Sequence, residues 1–420
     1  MALTGNHTYV GFGFGAIQAG LFLYEAFQSG NFGRLVVAEI VPDVVAEIRE
    51  AGGCYSINIA HADRIEAAQV GPVEILDPSA AQDRERLVTA LGEAHEIGTA
   101  IPSVELYAGE GPGSLHRTLA AGLSRRDSPA VVYAAENHNH AAEILERLAR
   151  GEAAFSNVQF LNTVIGKMSG AAADPARNSL ATATPNSSRA FLVEAFNRIL
   201  ISKIRLDPPF ERGIAVFSEK DDLLPFEEAK LFGHNATHAL AAYLAVQLDI
   251  EMMADLRSVP GFVPFLRDAF LSESGEALIR KHNSVGPLFT PEGYRDYADD
   301  LLDRMTNPFL MDTVERVGRD PERKLGWNDR LIGTMRLALS QGIEPRRYAI
   351  GTAAAFAALD AGFLDGHVSP DTLADPIWQT DSPDRQTVLA TIEEGADVLR
   401  RWRDSGFPDL REIVEQKGRP

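Results

Sequence analysis

The sequence predicts an α/β chain in which a doubly wound, mostly parallel sheet comes first and a mainly helical region follows. Strand-like apolar runs alternate with helical segments through the first half, a pattern typical of parallel sheets. From about residue 220 the sequence turns helical, with long alanine- and leucine-rich stretches. Because 420 residues are too many for one comfortable core, we expect two domains, residues 1–220 and residues 221–420.

The individual elements follow from the runs and the spacing of apolar residues. The strands predicted in the first half cover residues 9–15, 34–40, 73–76, 96–101, 130–134 and 158–165. A helix is predicted directly after the first strand, from residue 16 to residue 27. The helices predicted in the second half cover residues 227–246, 239–256, 290–305, 329–339, 349–361 and 387–404.

Composition and charge exclude several functional classes. The formal charge of −19, from 59 acidic and 40 basic residues, disfavours binding to nucleic acid or to anionic membranes. A single cysteine, Cys54, excludes an intramolecular disulfide and a multi-cysteine metal site, and it fits a reducing cytoplasm. The first residues do not read as a signal peptide, and no run of 18 apolar residues occurs. We therefore expect a cytoplasmic protein with a small-molecule substrate.

Glycines follow the first predicted strand directly and lead into a helix. In the segment GFGAIQAG, Gly13 permits a tight turn and Gly15 lets backbone amides approach a pyrophosphate. Ala16 and Ile17 begin the helix, whose N-terminus favours negative charge. Gln18 replaces the third glycine of the usual motif. The context still predicts a Rossmann-type dinucleotide-binding domain, although a simple strand-to-helix turn is the alternative.

An acidic residue ends the second predicted strand. Glu39 lies 19 residues after Gly20, where such folds place the acid that binds the adenosine ribose. Its carboxylate would accept hydrogen bonds from both ribose hydroxyls and repel a 2′-phosphate. Since no arginine follows Glu39 closely, the sequence favours NAD over NADP as the cofactor, with a surface acid as the alternative reading.

A polar run, ENHNH, follows the strand predicted at residues 130–134. His138 and His140 stand two positions apart and would point apart on a helix. Because the run follows a buried strand and the chain is acidic, we interpret it as a strand-end loop rather than a nuclease site. Asn137 would then reach the substrate or the nicotinamide.

The segment KLFGHNATHALAAYL carries four polar side chains on one predicted helix: Lys230, His234, Asn235 and His238. At about 100° per residue, Lys230 and His238 lie about 80° apart, with Asn235 partly opposite. For these three side chains to act together, the long lysine must reach around the helix, or the helix must be irregular near Gly233.

This segment and five others resemble the polyol-specific long-chain dehydrogenases, and among them most the mannitol-1-phosphate 5-dehydrogenases. The other segments, which lie in the same order along nearly the whole chain, are GFGAIQAG, AEI, CYSINIAHADRIE, AAEN and NPFLMDTVERVGRDPERKL with the NDRLIG that follows it. The resemblance implies a metal-independent oxidoreductase that interconverts a hexitol phosphate (mannitol 1-phosphate) and a ketose phosphate (fructose 6-phosphate) with NAD(H). It also implies a monomer or a weak dimer.

The resemblance further assigns roles to single residues. Lys230 is the general base, Asn235 and Asn137 hold the developing alkoxide, and His238 orients the substrate or the lysine. Arg316 and Lys324 match positions that contact polyol hydroxyls, and the resemblance places the active site in a cleft between the domains. Neighbouring arginines could complete a phosphate pocket in this acidic chain; they are Arg319, Arg323 and Arg330.

Several alternatives remain open. Within the same family, the substrate could be unphosphorylated mannitol or a hexonate such as mannonate or altronate. His234 and His238 have the i, i+4 spacing of two zinc ligands, but no third ligand is evident, so we predict no metal. A nucleotide-binding scaffold without turnover is the non-catalytic alternative.

Overall fold

In the computed structural model, the structure describes residues 3, 5–172 and 179–415. The chain divides into two compact units, Met1–Leu224 and Pro225–Pro420, whereas our sequence-based boundary is residue 220. None of the helices in the described ranges is long and apolar enough to cross a bilayer.

The first unit contains an eight-stranded sheet in the order β12-β11-β8-β7-β6-β1-β2-β5. Every neighbouring pair is parallel except β8 and β11, which confirms the predicted doubly wound, mostly parallel sheet. The strands of this unit are β1 (His7–Phe12), β2 (Phe32–Ala38), β3 (Tyr55–Ala60), β4 (Ile65–Val70), β5 (Glu74–Leu76), β6 (Glu96–Thr99), β7 (Ala130–Ala134), β8 (Val158–Val164), β9 (Ser169–Ala172), β10 (Ala190–Glu194), β11 (Ile199–Ser202) and β12 (Phe217–Lys220).

A second sheet of four strands, in the order β4-β3-β10-β9, was not part of our prediction. Its central pair joins β3 to β10, which are remote in sequence, and such pairing leaves no local pattern. Phe14 packs edge-on against Tyr55 and Phe191, with ring centroids 5.0 and 5.5 Å away. These aromatic contacts join the segment after β1 to the second sheet.

Helices flank the strands of the first unit. They are α1 (Tyr24–Ser29), α2 (Pro42–Glu50), α3 (Ala81–Glu93), α4 (Leu115–Leu123) and α5 (Ala141–Glu152), with a wider π-helical stretch at Gln18–Leu23 and a 3₁₀ turn at Val104–Tyr107. Two apolar cores, one on each face of the large sheet, hold these layers together.

The second unit is helical throughout its described residues, as predicted, and an isolated bridge between Met252 and Thr313 is the β pairing found there. Its α-helices are α6 (Leu224–Glu228), α7 (Ala236–Val246), α8 (Phe262–Ala269), α9 (Glu276–His282), α10 (Pro291–Met305), α11 (Val314–Gly318), α12 (Pro321–Lys324), α13 (Arg330–Ser340), α14 (Arg346–Leu359), α15 (Pro370–Trp378), α16 (Arg385–Asp404) and α17 (Leu410–Glu415). Its π-helical stretches are Ala229–Asn235 and Phe270–Gly275, and its 3₁₀ turns are Met253–Ser258, Pro287–Phe289, Pro308–Leu310 and Ala361–Phe363.

One predicted helix, residues 239–256, is wrong in its second half. α7 ends at Val246, and Asp249 adopts a left-handed conformation with φ of 52°. A residue in that conformation ends a helix. The chain then resumes as the 3₁₀ turn Met253–Ser258.

Candidate active-site residues

The glycine turn lies where the order of strands in the large sheet reverses. β1 lies between β2 and β6, so its carboxyl end is the switch point at which such sheets bind ligands. Gly13 follows β1 with φ of 80°, and its N–H donates to the Ala38 carbonyl at 2.8 Å. A Cβ on Gly13 would lie 2.9 Å from the carbonyl oxygen of Ala100. Both the backbone conformation and the space therefore require glycine here.

The next residues begin a helix whose start is open to solvent. Gly15 is exposed, and a Cβ there would meet nothing within 4 Å. Ala19 N–H donates to the Gly15 carbonyl at 2.9 Å, and Ala16 and Ile17 form the half-buried first turn. The first amides of a helix have no partner within it, so this end attracts negative charge. Four of the six predicted cofactor-binding residues, Gly13, Gly15, Ala16 and Ile17, therefore lie together at one helix start.

Gln18 explains why the third glycine of the motif can be absent. Its buried side chain donates from Nε2 to Tyr9 Oη at 2.8 Å. A Cβ on Gly11 would overlap this side-chain amide. Glycine inside β1 thus makes room for the glutamine, and the wide π-helical stretch begins at the same residue.

Glu39 holds the glycine turn through hydrogen bonds from backbone amides. Its Oε2 accepts from Phe14 N–H at 2.7 Å, and its Oε1 accepts from the N–H groups of Ile40 and Val41 at 2.7 and 2.9 Å. Since a carboxylate has about four acceptor positions, about one remains for a ribose hydroxyl rather than the two that we expected. Ile40, which is 74% exposed, lies beside it as an apolar surface that our sequence analysis missed.

The loop after β7 contains the predicted residue Asn137. It also contains Glu136, which our sequence analysis did not identify. Asn137 is exposed in a bend beyond the carboxyl end of β7, where we predicted a loop. Glu136 is buried and accepts from Thr99 Oγ1 at 2.8 Å, from Ile101 N–H at 2.9 Å and from the Tyr107 hydroxyl. Burial raises the pKa of Glu136. A carboxylate directly after a buried strand was the available signal for this anchor, which ties the loops after β6 and β7 together.

In the second unit, the Lys230 segment is irregular near Gly233, which is one of the two possibilities that its spacing left open. Residues Ala229–Asn235 form a π-helical stretch that continues directly into α7. Because π-helical bonding joins residues five apart, Lys230 and Asn235 lie about one turn apart. His238 follows after nearly one α-helical turn. All three side chains are half-buried, while Gly233 and His234 between them are buried.

The environment of Lys230 makes it a better base. Burial, and after it the positive charge of Arg330, lower the pKa of Lys230 to about 8, while Glu227 opposes the shift. A base with a pKa near the working pH transfers protons most efficiently. Lys230 is thus suited to accept a proton near neutral pH.

A carboxylate that we missed, Asp312, joins two of the predicted residues. Arg316 donates to it from Nε and Nη2, both at 2.6 Å, and His238 Nε2 lies 3.3 Å from its Oδ2. Burial raises the pKa of Asp312, but the hydrogen bonds and charge that His238 and Arg316 present to it outweigh that effect and lower the pKa to about 2. Arg316 therefore binds a substrate hydroxyl only if it keeps this ion pair at the same time or breaks it first. The aspartate within the NPFLMD segment was the available signal.

Two other predictions concern His234, whose spacing from His238 is that of two zinc ligands, and Lys324, a predicted substrate contact. His234 is buried, and burial together with Arg304 and His238 lowers its pKa well below the ordinary value, so it stays neutral. Its ring lies 6.2 Å from that of His238, and within the described ranges no three His, Cys, Asp or Glu side chains gather as metal ligands. Lys324 is buried near the end of α12.

Comparison with known proteins now gives these residues a context. Residues 222–397 match the family model of the mannitol dehydrogenase C-terminal domain. A mannitol-1-phosphate 5-dehydrogenase of Halalkalibacterium halodurans is 29% identical over 352 residues, covering 82% of this chain and 87% of that protein. That of Bacillus velezensis is 29% identical over 361 residues, covering 78% and 86%.

Solved structures show the same fold. A substrate-free D-sorbitol dehydrogenase superposes with a TM-score of 0.72 at 14% identity, covering 98% of each chain. The mannitol 2-dehydrogenase of Pseudomonas fluorescens, solved as a ternary complex with NAD and D-mannitol, gives 0.69 at 17% identity, covering 98% of this chain and 95% of that one. Residues 222–397 belong to the mannitol dehydrogenase C-terminal domain family, and the resemblance of the chain to the polyol-specific long-chain dehydrogenases is confirmed.

Proposed function

We propose that this protein is an NAD-dependent, metal-independent oxidoreductase that interconverts a hexitol phosphate and a ketose phosphate, with Lys230 as general base. The observation that carries the proposal is the Lys230 segment. It combines a lysine of pKa about 8 with Asn235, about one π-helical turn further on, and His238, nearly one α-helical turn after that.

In the oxidation, neutral Lys230 accepts the proton of the substrate hydroxyl at its Nζ. The amide of Asn235 donates a hydrogen bond to the oxygen as negative charge develops there, which stabilises the transition state. Asp312 holds His238 in place, so that its ring orients the substrate. In the reduction, the ammonium form of Lys230 returns the proton to the oxygen.

The glycine turn and Glu39 fit NAD. The positive φ of Gly13, the unobstructed space above Gly15 and the open start of the helix suit a pyrophosphate, and Glu39 retains an acceptor position for a ribose hydroxyl. Ile40 offers an apolar surface for the adenine. Bound NAD supplies the acceptor for the hydride that leaves the carbinol carbon.

For the substrate we favour mannitol 1-phosphate and fructose 6-phosphate, because the relatives that match most of the chain are named for that reaction. Unphosphorylated mannitol and the hexonates remain alternatives within the same chemistry. We further propose a monomer or weak dimer, and the cytoplasm as its compartment because the single cysteine, Cys54, is a free thiol.

The test is NADH oxidation by the purified protein with fructose 6-phosphate, fructose or a hexuronate, each repeated with NADPH and with EDTA. We expect turnover of fructose 6-phosphate, unchanged by EDTA and much weaker with NADPH because Glu39 repels the 2′-phosphate. If only fructose or only a hexuronate is turned over, that compound replaces fructose 6-phosphate as the proposed substrate. NADH binding without turnover of any sugar would favour the non-catalytic scaffold.

A further inference from the structure

Three arginines, near the end of α11, in α12 and at the start of α13, act electrostatically on the buried Lys324. We call Arg319, Arg323, Lys324 and Arg330 the cationic cluster. Arg319 and Arg323 are exposed, Arg330 is half-buried and Lys324 is only 3% exposed. The cluster thus runs from solvent to a buried ammonium. In a chain of net charge −19, such a local excess of positive charge is unusual.

The buried ammonium is the unusual member. Lys324 Nζ finds no hydrogen-bond acceptor among the residues that the structure describes. An ammonium removed from water without a partner is costly, and burial, followed by Arg330 and Arg323, lowers the pKa of Lys324 to about 8. An anion close to Lys324 would offset both the burial and the repulsion.

The neighbouring acids neutralise the cluster only in part. Arg330 Nε lies 2.8 Å from Asp329 Oδ1, and Arg323 Nη2 lies 3.7 Å from Asp320 Oδ2. With Glu322, which precedes Arg323 in the sequence, three carboxylates stand against four cations over residues 319–330. The segment therefore keeps an excess of positive charge, which an anion such as a phosphate monoester would balance.

We propose that the cationic cluster is the subsite for the phosphate group of the substrate, with Arg319 and Arg323 binding it from the solvent side and Lys324 and Arg330 from within. This rests on the proposed function and deepens it, because it assigns the choice between phosphorylated and unphosphorylated sugars to these side chains. Guanidinium groups bind phosphate oxygens through paired hydrogen bonds, and an ammonium adds a point charge. Lys324 would then bind the phosphate instead of the polyol hydroxyl that the family resemblance assigns to it.

The experiment compares the wild type with the double variant R319Q/R323Q, whose two exposed side chains can change without opening the core. The control is R403Q, a half-exposed arginine of α16 outside the cluster. The first readout is the ratio of kcat/KM for fructose 6-phosphate to that for fructose. Since each charged hydrogen bond contributes roughly a factor of ten or more, we expect the ratio to fall at least tenfold in R319Q/R323Q and to stay unchanged in R403Q. An unchanged ratio in the double variant would overturn the proposal.

A second readout separates this proposal from the proposed function. Inorganic phosphate, titrated at constant ionic strength, should raise the melting temperature of the wild type and of R403Q, but raise that of R319Q/R323Q much less. If no sugar is turned over while this phosphate effect follows the cluster, the proposed function fails and the anion site stands. If phosphate stabilises all three proteins equally, the cluster is not its binding site.

Discussion

One π-helical stretch follows the glycine turn after β1, and another forms the Lys230 segment. The two regions nevertheless depend on different parts of the chain for their proposed roles. The turn relies on the backbone: Gly13 has a positive φ, and Glu39 fixes the amide of Phe14. The Lys230 segment relies on side chains, because burial and a neighbouring arginine set the pKa of its lysine. Substitutions should therefore act through conformation in the first region and through charge in the second.

The largest expected effect comes from Lys230→Met, which keeps the length of the side chain and removes its base. We expect kcat for oxidation of the hexitol phosphate to fall by roughly 10²–10⁴, the usual contribution of general-base catalysis, with NADH binding kept. The matched control is Lys281→Met, whose exposed ammonium pairs with Glu228 at 2.8 Å. A loss of less than about threefold in K230M would place the base elsewhere.

The next effect tests the backbone side of the comparison with Gly13→Val. A branched side chain at φ of 80° and close to the Ala100 carbonyl should cost about 1–3 kcal/mol of stability and move the turn. We expect NADH affinity, measured by fluorescence titration, to fall by more than tenfold. Gly15→Ala is the control for strain, since its Cβ would enter open space and should leave the melting temperature unchanged. Wild-type NADH binding by G13V would contradict the assignment of the turn.

A smaller effect is expected from Asp312→Asn, which keeps the shape of the side chain and removes the charge that faces His238 and Arg316. Loss of this positioning residue should lower kcat by about tenfold, as for other groups that orient functional side chains, and change the pH dependence of kcat. Asp303→Asn, at an exposed ion pair with Arg257, is the control. A D312N protein with the kcat and pH profile of the wild type would mean that Asp312 is only structural.

Six of the eight strands of the large sheet were predictable because each is a local apolar run, whereas β11 and β12 were not among the predicted strands. The run at residues 130–134 matches β7 residue for residue. The second sheet was not predictable, since β3 pairs with β10 across a long stretch of sequence. The end of α7 was missed for a related reason: alanine and leucine favour helix up to the point where Asp249 turns into the left-handed region.

The residues of the candidate site also divide into those that the sequence identified and those that it did not. Gly13 could be identified from a short motif because a tight turn after a strand requires glycine. An irregular helix near Gly233 was one of two possibilities raised by the mismatch between the spacing of the Lys230 segment and an ideal helix, and the structure has a π-helical stretch there. Asp312 and Glu136 were not identified, because their importance comes from partners that only the fold brings to them.

The most direct test of the account is the pH dependence of kcat/KM, measured in both directions with the wild type and K230M. Oxidation needs neutral Lys230, so its rate should rise with pH and level off above about pH 8, whereas reduction needs the ammonium and should fall above the same pH. We predict that this inflection is absent in K230M. An inflection near pH 8 that persists without Lys230, or a wild-type profile without one, would contradict the assignment of Lys230 as the base.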